Sequence, residues 1–139
     1  MEIVEQVEHE YKPGFSLIKY GTILTFNCNL EFARRFNNIL TDLAEKGYSE
    51  DFDIKVLSQQ LKYLMETKEP HEGVIDNDSF TAMKMGHVFV VSLRKDLCMS
   101  LNASLCDFLV TNRVSPALFS FAKQLKGYLF PQQSGFVDD

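Results

Sequence analysis

Hydrophobic and polar residues alternate along two stretches of the chain, residues 15–28 and 80–93. Alternation with a period of two, together with many β-branched and aromatic side chains, predicts β-strands, and one central glycine in each stretch predicts a hairpin turn. Tyr20-Gly21 and Met85-Gly86 are poor type I′ turns, because that turn prefers Asn or Asp at its first position. We therefore expect two hairpins, each closed by a type I turn with a glycine in the left-handed region and a β-bulge.

The two stretches also resemble each other in sequence. Residues 15–26 align with residues 80–91 at a spacing of 65 positions, and Phe, Lys and Gly are identical at the first, fifth and seventh places. The alignment continues without a gap into the residues that follow, where Asn37 meets Asn102. This pattern predicts a motif that occurs twice. A shared hydrophobic period also produces such matches by chance, so the second interpretation stays open at this point.

Apolar residues after each hairpin recur at helical spacing, which predicts two helices in each half of the chain. In the first half, Asn29 is suited to cap a helix that runs to Lys46, and Ser49 is suited to cap a second one that ends near Lys68. In the second half, Ser115-Pro116 combines a cap with a proline at the first helical position and begins the last helix.

Residues 95–101 fit two kinds of element. Leu97, Met99 and Leu101 alternate as in a strand, whereas Leu97, Leu101, Leu105 and Phe108 follow the helical period. The helical pattern is the longer one and matches the corresponding segment of the first half. We therefore expect a helix here and keep a strand as the alternative.

These elements predict an α+β fold: a tandem ββαα duplication in which an antiparallel sheet of two hairpins packs against four helices. A chain of 139 residues, 45% of them hydrophobic, is long enough to bury a core of its own. We expect a single domain over residues 1–139, with pseudo-repeats at about 14–68 and 79–130, an acidic connector at 69–78 and a flexible tail at 131–139.

The second hairpin is apolar on both of its faces. One face of its outgoing strand carries Phe89 and Val91, and the opposite face carries Val88 and Val90. A strand that is apolar on both sides belongs in the middle of a sheet or at a contact with another chain. We therefore expect a surface for a protein partner, most simply a second copy of this chain, formed by Met83, Met85, Val88 and Val90.

Charge is distributed unevenly along the chain, whose net charge is −5. Residues 80–137 hold six Lys and Arg against two Asp, whereas residues 1–11 and the connector are acidic. Acidic segments that lie over basic surface of the same molecule are one explanation. In a second explanation, the basic second unit binds an anionic partner. In a third, carboxylates bind a basic target protein, as an inhibitor does. The residues that we assign to such a contact are Glu5, Glu8, Glu69, Glu72, Asp76 and Asp78.

Nucleic-acid binding through the basic second repeat is an alternative function. Its candidate residues are Arg34, Arg35, Lys84, Arg94 and Lys95. The acidic total charge argues against it, as does the lack of a run that combines aromatic and basic residues in the manner of an RNP motif.

No catalytic, metal or cofactor motif stands out in the sequence. Cys28, Cys98 and Cys106 lie in apolar surroundings without CxxC spacing, so we expect three buried thiols in a reducing compartment. The segment 76–78 begins like a calcium loop but lacks the glycine and the glutamate required further on. His87 is a lone candidate base without a recognisable nucleophile. An enzyme, or a small-molecule site between the repeats, therefore stays an alternative only.

Residues 1–11 carry four glutamates instead of the features of a signal peptide, and the longest apolar run is too short for a bilayer. We expect a cytoplasmic protein without membrane contact. Together these features predict a non-catalytic protein–protein interaction module, regulatory or inhibitory, that self-associates as a homodimer. Phe136-Val137, followed by two aspartates, fits a short docking motif or a frayed terminus.

Overall fold

The computed structural model describes residues 14–67 and 78–131, together with the backbone of residues 73–76. This part of the chain forms an α+β fold in which two ββαα units follow each other, as predicted. The strands are β1 (Phe15–Tyr20), β2 (Ile23–Cys28), β3 (Gly73–Asp76), β4 (Phe80–Met85) and β5 (Val88–Arg94). The helices are α1 (Leu30–Glu45), α2 (Phe52–Glu66), α3 (Lys95–Thr111) and α4 (Pro116–Leu129).

The strands form one antiparallel sheet in the order β1-β2-β5-β4-β3. The two hairpins of the prediction are β1–β2 and β4–β5, and β5 lies in the middle of the sheet, as its apolar faces indicated. β3 is a finding that the sequence analysis missed, because it lies in the segment that we interpreted as a polar connector. It pairs with β4 from Gly73 opposite Lys84 to Asp76 opposite Thr81, and so supplies backbone partners along that edge of β4.

The strand registers agree with the 65-residue spacing of the repeat. Phe15 lies opposite Cys28 in the first hairpin, and Phe80 lies opposite Leu93 in the second, so both hairpins have the same register after a shift of 65 positions. Between the hairpins, β2 pairs with β5, and Phe26 lies opposite its own repeat equivalent, Val91. The two units are therefore related by a local twofold axis that passes between Phe26 and Val91.

The hairpin turns differ from our expectation. Tyr20 pairs directly with Ile23, and Met85 with Val88, so each turn has two residues and no bulge. Gly21 has φ +59° and Gly86 has φ +64°, while no residue other than glycine has a positive φ in the described chain. A glycine at the first of two turn positions is the pattern of a type II′ turn. The expected type I turn with a bulge was wrong because the glycine opens the turn and does not close it.

Capping side chains define where the helices begin. Asn29 accepts a hydrogen bond from the Phe32 amide at 2.9 Å and begins α1, as predicted. The cap of α2 is Asp51, not Ser49, because the Asp51 carboxylate accepts from the Asp53 amide. Residues 95–111 are helical, which decides the ambiguity at 95–101, although Arg94 makes no capping bond with its side chain.

The four helices of the described residues pack on one face of the sheet, and the core lies between these helices and the sheet. Its centre is a group of aromatic rings from both units. Phe121 of α4 contacts Phe26, Phe32 and Phe36 of the first unit, with ring centroids 5.0, 5.7 and 5.2 Å apart. Such contacts contribute beyond the burial of area alone, since edge-to-face rings attract each other.

The two units interlock through their second helices. α2 of the first unit packs against β4 of the second, and α4 of the second unit packs against β1 of the first. The lysine that recurs in the repeat has the same role in both units. Lys84 Nζ donates to the Thr67 carbonyl at the end of α2 at 2.8 Å, and Lys19 Nζ donates to the Tyr128 carbonyl at the end of α4 at 3.1 Å. Each lysine thus complements the negative end of the other unit's helix.

Replacing Lys84 with methionine should lower the free energy of unfolding by about 1 kcal/mol, because a charged hydrogen bond to a helix carbonyl is lost. Lys19→Met should have a smaller effect, since its hydrogen bond is exposed to solvent. Lys62→Met, on the exposed side of α2, is the matched control and should change stability little. Urea denaturation measures all three, and equal effects of Lys84→Met and Lys62→Met would contradict the shared role.

Candidate partner-binding surface

The sheet has a second face that none of the described helices covers. Along each strand, alternate residues point into the core, and those between them point away from it. On β5, for example, Phe89, Val91 and Leu93 are buried, whereas Val88 is exposed and Val90 is half-buried. We call the side of the sheet that faces away from the helices the outer face.

The predicted partner-binding residues of the second hairpin come together on this outer face. Met85 lies opposite Val88, and Met83 lies opposite Val90. The exposed fractions of Met85 and Val88 are 48% and 44%, and the other two residues are half-buried. These four residues form a continuous cluster, which we call the second apolar patch.

A corresponding cluster on the first hairpin was missed by the sequence analysis. Ile18 and Tyr20 are exposed by 45% and 70%, and Ile23, which pairs with Tyr20, is half-buried. We call these three residues the first apolar patch. The repeat alignment could have predicted this patch, because Ile18, Tyr20 and Ile23 align with Met83, Met85 and Val88 of the second unit.

A polar strip lies between the two patches. Thr25 and Ser92 are opposite each other on β2 and β5, and their hydroxyl oxygens are 2.9 Å apart in a hydrogen bond. Ser16 and Asn27 extend the strip over the first hairpin. The outer face therefore combines two apolar ends, related by the local twofold axis, with a hydrogen-bonding centre.

The structure describes little of the predicted acidic surface. The side chain of Asp78 is exposed, and the backbone of Asp76 pairs with Thr81 in β3. The remaining residues lie outside the described part of the chain; these are Glu5, Glu8, Glu69 and Glu72.

The candidate nucleic-acid residues lie on four different elements, α1, β4, β5 and α3. Arg34 and Arg35 are exposed on α1, where Arg35 forms an ion pair with Glu31 at 3.0 Å. Lys84 donates to the end of α2, as described above. Arg94 and Lys95 are exposed at the junction of β5 and α3. Two of the five cations thus have partners within the chain, which weakens the case for a common phosphate-binding surface.

The three thiols are not equivalent, contrary to our expectation that all are buried. Cys28 and Cys98 are buried, and burial raises the pKa of Cys28 to about 12 and that of Cys98 to about 11. Cys106 is exposed. The expectation failed for Cys106 because it lies eight residues after Cys98 on the same helix, so the two side chains point about 80° apart.

Other reactive groups do not assemble into a catalytic or metal site within the described residues. His87 is exposed in the turn of the second hairpin. Tyr48 links the loop after α1 to the end of α3 through hydrogen bonds with Thr111 and Asn112. These bonds lower the pKa of Tyr48, and the bond with Thr111 has the larger effect. No group of three or more His, Cys, Asp and Glu residues that could hold a metal ion occurs in the described chain.

A small cavity of about 140 Å³ lies between the first hairpin turn, the beginning of α3 and the end of α4. Lys19, Lys95 and Cys98 line it together with Tyr128. Ligand pockets of drug-sized molecules usually measure roughly 300–1,000 Å³, so this cavity suits only a very small ligand.

Comparison of the chain with models of protein families, with curated proteins and with solved structures finds no significant match. None of the helices within the described residues combines the length and the hydropathy that crossing a bilayer requires.

A valine-to-threonine substitution should destabilise the protein more on the core face of the sheet than on the outer face. Val91→Thr should lower the free energy of unfolding by about 1–3 kcal/mol, because the hydroxyl group of the new threonine would be buried in the apolar core. Val88→Thr, at an exposed position three residues earlier, should change it by less than about 0.5 kcal/mol. Chemical denaturation of both variants at low protein concentration is the measurement. Similar losses at both positions would show that the outer face is covered within the monomer.

Proposed function

We propose that this protein is a non-catalytic protein–protein interaction module that binds its partner through the outer face of the sheet. The single observation that carries the proposal is the exposure of Met85, Val88, Ile18 and Tyr20 on one sheet face. Soluble monomers rarely expose large contiguous apolar patches, and such patches commonly mark sites of protein contact.

The face of the sheet is a better contact surface than its β1 edge. The Tyr128 hydroxyl donates to the Leu17 carbonyl of β1 at 3.3 Å, and Lys19 is bound to the end of α4 on the same side. These contacts hinder the addition of a further strand along β1. Packing of another apolar surface against the outer face, about 10 Å from the sheet, needs no free strand edge.

A second copy of the chain is the simplest partner. A twofold dimer brings the same surface of both copies together, so it needs a patch that is self-complementary. The outer face offers two apolar ends on either side of a polar strip, and its arrangement is itself nearly twofold. In a face-to-face dimer, apolar ends therefore meet apolar ends while the hydroxyl groups of Thr25 and Ser92 meet polar groups. The regulatory or inhibitory role, and the cytoplasmic location, are part of this proposal.

Sedimentation equilibrium of the wild-type chain and two charge variants tests self-association. Val88→Glu places a carboxylate in the second apolar patch of both copies, and we expect the dimer dissociation constant to rise at least about 100-fold. The matched control is Val110→Glu, because Val110 is also an exposed valine, 79% accessible, but lies on α3 on the helical side of the molecule. This control should dimerise like the wild type.

Each result has a defined meaning. A wild-type chain that stays monomeric at about 100 µM contradicts self-association. Dimerisation that Val110→Glu weakens and Val88→Glu does not would place the contact on the helices instead. In the monomeric case, a pull-down from the native host compares the two variants, and a partner retained by Val110→Glu but lost by Val88→Glu supports the outer face as a surface for a different protein.

A further inference from the structure

A groove with largely apolar walls follows the seam between α3 and α4. Its volume is about 360 Å³, and Leu105, Leu109 and Val110 on α3 line it opposite Phe119 on α4. Val110 and Phe119 are both exposed, so their side chains are accessible from solvent. The groove lies on the helical side of the molecule and is separate from the outer face of the sheet. We call it the α3–α4 groove.

The groove changes in character along its length. The beginning of α3 and the end of α4 line one cavity, so the two helices are antiparallel and their residues meet in pairs across the seam. Starting from the loop that connects the helices, the three pairs that line the groove are Val110 with Phe119, Cys106 with Ala122, and Asn102 with Lys126. Successive pairs are four residues apart on α3, or about 6 Å. One end is therefore apolar, the middle has small side chains, and the other end is polar and basic.

The middle of the same seam is built differently in the first unit. Thr41 Oγ1 on α1 and Ser58 Oγ on α2 are 2.9 Å apart in a hydrogen bond. The repeat alignment puts Cys106 and Ala122 at these two positions of the second unit. This pair cannot form the hydrogen bond that joins α1 to α2, and both of its side chains line the groove instead.

The apolar end of the groove has charged counterparts in the first unit. Glu45 and Lys55 align with Val110 and Phe119, and all four residues are exposed. The fold therefore accepts charged side chains at these positions. Val110 and Phe119 are also not part of the hydrophobic core of the described chain. Their apolar surface is what a contact with another molecule would bury.

The charge of the groove indicates an acidic partner. Lys123 and Lys126 line the groove, and none of its described lining residues is acidic. Lys123 Nζ lies 5.9 Å from the centre of the Phe119 ring, so a positive charge stands beside the apolar end. The first unit has Gln59 in place of Lys123. A partner that carries carboxylates next to apolar side chains therefore complements both the walls and the charge of the groove.

We propose that an amphipathic helix of another protein, with acidic residues beside its apolar ones, binds along the α3–α4 groove. Apolar residues at i and i+4 of a helix are about 6 Å apart, which matches the spacing of the pairs in the groove. One such side chain packs over Cys106 and Ala122, the next packs against Phe119, and the carboxylates lie beside the two lysines. If the outer face binds a partner as proposed above, one chain then joins two proteins, because the two surfaces lie on different sides of the molecule.

Fluorescence anisotropy with two labelled peptides tests the proposal on the full chain. Both peptides are stapled helices of about four turns with leucines at i, i+4 and i+7. One peptide has glutamates at the flanking positions, and the other has lysines there. The glutamate peptide should bind at least about tenfold more tightly, because the lysine peptide would place like charges against Lys123 and Lys126. Added salt should weaken the binding of the glutamate peptide.

Phe119→Lys installs the residue type of the first unit at this position and should weaken the binding of the glutamate peptide at least about tenfold, because an aromatic anchor of the groove is lost. The matched control is Phe52→Lys, which changes an exposed phenylalanine, 71% accessible, on α2. This control should bind the peptide like the wild type. Urea denaturation verifies that both variants are folded.

Three results overturn the proposal. The first is a glutamate peptide that does not bind at about 1 mM. The second is equal binding of the two peptides, or an equal loss of binding in Phe119→Lys and Phe52→Lys. The third is a dimer that Phe119→Lys dissociates and Val88→Glu does not, because a second copy would then occupy the groove. The first two leave dimerisation through the outer face untouched, since Val88→Glu tests it separately.

Discussion

The antiparallel pairing of β2 with β5 is the interaction on which the rest of the structure depends. It joins the two hairpins into one sheet and puts Phe26 opposite its repeat equivalent, Val91. Because side chains alternate along a strand, a shift of one residue in this register would turn the core residues of one hairpin to the outer face. The same register therefore determines which residues meet the helices and which form the two apolar patches.

The helices continue the twofold relation between the two units from the sheet into the core. Each unit's second helix packs over a strand of the other unit, so neither unit buries its core alone. The twofold relation holds for the backbone more closely than for the side chains. Phe32 and Phe36 of α1 correspond to Leu97 and Leu101 of α3, so the aromatic group lies mainly in the first unit. The second unit also differs at the seam between its helices. Thr41 on α1 and Ser58 on α2 share a hydrogen bond, whereas Cys106 and Ala122 occupy the matching positions of α3 and α4.

Much of this fold can be predicted from the sequence, because hydrophobic periodicity and a repeated motif report on the same elements. The hairpins, α1, α4 and the helical character of residues 95–101 follow from spacing and capping residues. β3 does not, since it has four residues in a polar stretch and depends on an edge that only the folded sheet provides. The partner of Lys84 could not be predicted either, because it belongs to a helix end brought near by tertiary packing. Half of the candidate surface was predicted: the second apolar patch follows from alternation, while Ile18 and Tyr20 needed the repeat to be applied to the outer face as well.

The central claim is that two interlocked units share one sheet and unfold as one, with one sheet face free of the described helices. Its most direct test is hydrogen–deuterium exchange of backbone amides in the native protein, because amides exchange according to the cooperative unit to which they belong. The account predicts that the most protected amides of β2 and β5 exchange together, at the slowest rate in the chain and only through global unfolding. Loss of protection in β5, α3 and α4 while β2 and α1 remain protected, or the reverse, would show that the units unfold independently and would contradict it.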